Sequence, residues 1–150
     1  MKADFSKLVE TGASGVYRCH STLSEATLGA AAQRGMRVEK VALTGARDKN
    51  AFLNAVAKVL AFPEYFGHNW DAFYDCLVDL EHDKGEGLLL LLRDASGFAR
   101  AQAEEFAAAV DALQDATDFW EGEQKTLLVV VELEAPVLAP ELAEISGRLD

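Results

Sequence analysis

Two apolar runs and the segment between them constrain this chain most. TLLVVVEL, residues 126–133, has a β-branched core, and LLLLLR, residues 88–93, is a short leucine run bounded by Gly85, Gly87 and Gly97. Both read as buried strands. Between them FARAQAEEFAAAVDALQDATDF, residues 98–119, carries Phe106, Val110 and Leu113 at helical spacing, which predicts one long helix. The alternation continues upstream. VYRC (16–19) and RVEKVALT (37–44) read as short strands, and the stretch between them places Leu23, Ala26, Ala30 and Ala31 on a helical face. Asp48 is a natural N-cap for a helix with Phe52, Leu53, Val56, Val59 and Leu60 on its apolar side, and Pro63 should stop it. After Pro136 and Pro140 the spacing of Leu142, Ile145 and Leu149 predicts a short packed helix. Strands alternating with helices imply the α/β class, a small and mainly parallel sheet packed with helices.

At 150 residues the chain is expected to form one domain, and 50% apolar with 26% charged residues excludes a disordered one. Fourteen Lys and Arg against 25 Asp and Glu leave a formal net charge of −11. Such a surface repels phosphate backbones, so direct nucleic-acid binding is not expected and a macromolecular partner should be basic. The opening MKADFSKLVETGASG lacks the apolar core of a signal peptide, and no run approaches a membrane span. A cytoplasmic protein without membrane attachment is expected. Cys19 and Cys76 form no metal or redox motif and read as core thiols, and no sequence signature calls for a cofactor or a metal.

The segment FPEYFGHNWDAFYDCLVDL, residues 62–80, is unusual in a different way. Gly67, suited to an unusual backbone angle, and Asn69, suited to an N-cap, predict a helix running to about Leu80. On that helix Trp70, Phe73, Leu77 and Leu80 point one way, and Asp71, Asp75 and Asp79 point roughly 170° away. Like charges at i and i+4 oppose each other by a few tenths of a kcal/mol per pair, and Asp75 and Asp79 lie toward the helix end that disfavours negative charge. Folding alone would not select them. With Tyr65, Phe66 and Tyr74 at the edge of the acidic patch, the composition is that of a protein-binding surface, and carboxylates at fixed spacing can imitate successive phosphates.

Within this segment PEYFGHNWDAFYDCL resembles the PEYYGxNLDALWDCL segment of the barstar family, intracellular inhibitors of barnase-type bacterial ribonucleases. Pro63, Glu64, Tyr65, Gly67, Asn69, Asp71, Ala72, Asp75, Cys76 and Leu77 fall in register. The order of elements around it also agrees, so the resemblance covers residues 38–134, with residues 1–37 as an N-terminal extension and 135–150 as a tail. It implies a barstar-like fold with one extra N-terminal β-α unit, read as a helix and an edge strand, and a loop and helix that plug a ribonuclease active site. By this resemblance Asp75 is the chief anchor and Asp71 holds the same basic surface. Tyr65 and Tyr74 pack on that surface, and the backbone near Gly67 lies against the enzyme's substrate loop. Phe66, Asn69, Trp70 and Asp79 complete the expected partner-binding set, and Asp115 is the positional candidate for a further acid late in the long helix. Three positions depart from the family pattern: His68 stands for Glu, Trp70 for Leu and Tyr74 for Trp. His68 weakens the negative charge of the patch where the family often carries an acid.

Two other readings compete. The same surface would serve an immunity or adaptor protein directed at a different basic partner, such as another toxin nuclease. A metal-dependent enzyme can be drawn from His68, Asp71, Asp75, His82 and Asp83, but the chain has only three histidines, His20 is remote, and no nucleophile elbow, P-loop, H-E-x-x-H or dinucleotide fingerprint is present. The resemblance favours an inhibitor, not an enzyme.

Overall fold

The computed structural model describes residues 2–63, 67–80, 87–134 and 139–146. Among the described residues six strands, β1 (Lys2–Asp4), β2 (Gly15–Cys19), β3 (Met36–Ala42), β4 (Gly87–Arg93), β5 (Leu127–Glu132) and β6 (Ala143–Ser146), form one sheet in the order β1-β6-β2-β5-β4-β3. Every pairing is parallel, as the strand–helix alternation requires. Helices α1 (Phe5–Thr11) and α2 (Glu25–Gln33) follow the first two strands. The other described helices are α3 (Lys49–Leu60), α4 (Trp70–Val78), α5 (Ser96–Ala101) and α6 (Ala103–Gly122).

The central strands explain why the chain needs helices on both faces. Along β4, Leu88, Leu90 and Leu92 join one hydrophobic core, whereas Leu89 and Leu91 join a second. β5 divides in the same way, with Leu127, Val129 and Val131 on one side and Leu128 and Val130 on the other. Side chains alternate across a strand, so an unbroken apolar run is a strand buried twice over. The larger core is filled by Phe52, Phe73, Phe98, Phe106 and Trp120 from α3 to α6. The second is closed by Phe5 and Val9 of α1, Leu28 and Ala31 of α2, and Leu23 and Ile145.

The expected N-terminal β-α unit is present and is itself preceded by β1 and α1. Its strand is not at the edge: β2 lies between β5 and β6, paired with Leu128–Glu132 on one side and with Ala143 and Glu144 on the other. The tail is where periodicity misleads. Residues 143–146 form β6 instead of a helix, because an open strand edge between β1 and β2 offers backbone partners that a four-residue segment cannot supply to itself. Leu142 and Ile145 are buried in opposite cores, while Leu149 lies outside the described residues.

A buried clasp ties the first units to the sheet. Glu132, 7% exposed at the end of β5, accepts hydrogen bonds from the Leu23 amide (3.0 Å) and from Arg93 (3.5 Å), and Arg93 also donates to the Leu23 carbonyl (3.2 Å). Two further expectations shift in detail. The predicted single helix over 98–119 is broken at Gln102 (φ −141°) into α5 and α6. α3 ends at Leu60, three residues before Pro63, through a left-handed Ala61 whose amide reaches the Ala57 carbonyl.

Candidate functional site

α4 begins as its sequence dictates. Asn69 is extended, and its side-chain oxygen accepts from the Ala72 amide at 2.8 Å, filling one of the orphan donors of the first turn. The unusual backbone angle falls one residue later than expected: His68 has φ +54°, while Gly67 is outside the left-handed region. Phe73 and Leu77 are fully buried and carry the helix onto α3 and α6, so Asp71, Asp75 and Asp79 are turned outward and exposed. At the far end the Trp120 indole of α6 donates to the Leu77 carbonyl at 3.1 Å, pinning the last turn of α4.

Between α4 and α6 lies an open groove of about 930 Å³. One wall carries Trp70, Asp71, Tyr74 and Asp75; the other carries Asp111, Asp115, Asp118 and Phe119 above a floor of Ala108 and Ala112. Asp115, reached in sequence through the family resemblance alone, thus faces the α4 aspartates. Asp111, Asp118 and Phe119 were not anticipated, although Asp111, Asp115 and Asp118 repeat the four- and three-residue spacing that marks one helix face. No Lys or Arg lines the groove, and among the described residues none of its five aspartates forms an ion pair. Phe119, at 40%, is the exposed large hydrophobic residue among those described, and it sits at the end of this acidic channel.

Trp70 belongs to the core and the groove together. Its ring packs on Phe52 (5.8 Å between centroids) and Phe73 (5.6 Å), with the Lys49 ammonium 5.7 Å from the ring centre. Its indole N–H donates to Glu105 at 3.1 Å, bridging α4 to the start of α6. Trp70, one of the three residues that depart from the family pattern, is therefore a strut across the groove's upper end.

Asp79 parts company with the other two. Successive fourth residues drift by about 40° around a helix, so Asp71 and Asp79 lie about 80° apart. Asp79 caps the C-terminus of α4 and, with Asp75, borders a second cleft of about 770 Å³ on the other side of the helix. That cleft is formed with Arg37, Phe62, Pro63, Gly67 and Cys76 among others, and Asp75 lines both hollows. Burial, then the charges of Asp79 and Asp75, push the Cys76 thiol upward, the opposite of what a nucleophile needs. Tyr65 and Phe66 lie outside the described residues, as do His82 and Asp83 of the metal-site reading. Among the described residues no group of three or more His, Cys, Asp or Glu side chains is arranged to hold a metal ion, and the His68 imidazole Nε2 lies 2.6 Å from the Asn54 side-chain oxygen.

No helix among the described residues is long and apolar enough to cross a membrane. Comparison with curated proteins returns no match. A family model described as Barstar (barnase inhibitor) matches residues 36–132, which run from the first residue of β3 to the last of β5 and include α4, α6 and the groove between them. With some two thirds of its length matched in this way, the chain belongs to the barstar family.

Proposed function

We propose that this protein is a reversible, non-covalent inhibitor of a barnase-type bacterial ribonuclease, and that the α4–α6 face blocks the enzyme's basic active site. The observation that carries the reading is the groove: five exposed aspartates on two facing helices, no lining cation, and aromatic rings at Trp70, Tyr74 and Phe119. Nothing within the described fold neutralises these charges, so a partner bringing Arg, Lys or protonated His supplies the missing half. Asp75, shared by both hollows, is the principal anchor; Asp71 and Asp115 hold the basic surface from the two walls, and Tyr74 packs beside them. Gly67, Asn69 and Trp70 shape the approach, Asp79 extends the contact beyond the groove, and Tyr65 and Phe66 complete the partner-binding set. Catalysis is not part of this function, and no cofactor or metal takes part.

The test is RNA cleavage by a barnase-type ribonuclease titrated with the wild-type protein and with Asp75→Ala. Stoichiometric inhibition by the wild type, collapsing in the variant, is expected, as is an association rate that falls as salt screens the groove. An association rate indifferent to ionic strength would refute electrostatic docking. A correctly folded wild type that leaves cleavage unaffected would redirect the surface to another basic protein, as an immunity or adaptor protein.

A further inference from the structure

His68 immediately precedes the N-cap of α4 and is one of four non-glycine residues with positive φ among those described. A left-handed backbone at a residue with a Cβ costs about 1 kcal/mol and persists where its surroundings hold it. Its surroundings include Asn54 on α3: the imidazole Nε2 and the Asn54 side-chain oxygen are 2.6 Å apart. Because that oxygen accepts only, Nε2 carries the proton and donates. The chain entering α4 is thus tied at two places, by Phe62 packing edge-on to Phe73 (6.4 Å) and by His68 on Asn54. The next residue, Asn69, sets the first turn through its bond to the Ala72 amide, and Asp71 and Asp75 ride on that turn and the following one.

We propose that His68 is a positioning residue: the Asn54–His68 hydrogen bond between α3 and the start of α4 fixes the direction in which α4 presents Asp71 and Asp75. The inference rests on the reading of α4 as the docking face for its consequence, but the strut itself is independent of any partner. Glutamine places an amide N–H near the position of Nε2, whereas asparagine tolerates the left-handed backbone but is too short to reach Asn54. This contrast separates the hydrogen bond from the backbone geometry.

Amide hydrogen exchange at Ala72 and Phe73 is measured in the wild type, His68→Asn, His68→Gln, Asn54→Ala and the His68→Asn/Asn54→Ala double variant. Loss of one net hydrogen bond predicts exchange about fivefold faster in His68→Asn and in Asn54→Ala, no further increase in the double variant, and protection retained in His68→Gln. Unchanged exchange in either single variant, or independent effects that multiply in the double, overturns the strut. The same five proteins are then titrated into a barnase-type ribonuclease, where inhibition should weaken in the same pattern. If exchange responds while a working inhibitor is left undiminished, the strut does not position the site and the proposal fails. If the wild type does not inhibit at all, the functional reading falls, and the exchange pattern still decides whether His68 holds α4.

Discussion

The family match begins at β3, yet the structure makes the residues before it part of the core, and removing them should prevent folding. Deleting residues 1–35 strips α1 and α2 from one face of the sheet and uncovers Leu89, Leu91, Leu128 and Val130, all at 0% exposure in the intact chain. Returning four such side chains to water costs roughly 6–12 kcal/mol at about 1.5–3 kcal/mol each, an upper range because unfolded chains already shield some apolar surface. The whole stability of an ordinary domain is only about 5–15 kcal/mol. β5 also loses its hydrogen-bonded partner from Gly15 to Cys19, and the Arg93–Glu132 clasp loses Leu23. A 36–150 fragment is therefore expected to aggregate or to lack a cooperative urea transition by circular dichroism, with restoration when residues 1–35 are supplied in the same chain. A soluble monomeric fragment unfolding cooperatively, within about 2 kcal/mol of the full chain, would refute the claim that two-sided burial governs this sheet.

Other outcomes can be checked on the intact chain. Trp120→Phe removes the indole donor from a buried Leu77 carbonyl, and a loss of about 1–3 kcal/mol in urea unfolding is expected, with α4 amides near Leu77 losing protection first. Glu132 has its carboxyl pushed up, chiefly by burial, so the folded state keeps its proton to higher pH than the unfolded state does. Its contribution to stability is then fully present below the ordinary Glu range and is lost as pH rises through the folded value, and Glu132→Gln should flatten that slope in unfolding measured from pH 4 to 8. Cys76 should alkylate more slowly at pH 8 than a free thiol, and Asp79→Asn should speed the reaction; equal rates in the two proteins would remove the carboxylate's part in raising the thiol.

The elements most legible in sequence are those whose local pattern and tertiary environment agree. β4 and β5 are apolar at every described interior position because both faces are covered, and Asn69 caps α4 because its side chain satisfies a neighbour three residues away. β6 was hidden since Leu142, Ile145 and Leu149 carry a helical spacing, whereas its strand character comes from β1 and β2, more than 120 residues distant in the chain. The break at Gln102 likewise leaves no interruption in the apolar spacing on either side. On the site, Asp71 and Asp75 stand out because like charges on one face oppose helix stability. The α6 wall is hardly legible in sequence, since Asp111, Asp115 and Asp118 read as the ordinary wet side of a long helix until α4 is laid beside them. His68 and Asn54, fourteen residues apart, have no periodic relation at all.

The position of β2 has a consequence for how the protein is made. Its five residues pair with β5 in the register Gly15↔Leu128 to Cys19↔Glu132, 113 positions later in the chain. On a ribosome adding roughly 5–20 residues per second, β2 waits about 6–23 s for that partner to be synthesised, whereas β3 can meet β4 after only 51 residues. β1 and β2 are thus made well before β5 and β6 can receive them, whereas β3 and β4 can pair early. Throughout that interval Phe5, Val9 and Leu28 have no finished surface to pack against, which makes the nascent N-terminal unit the natural client of any holding chaperone.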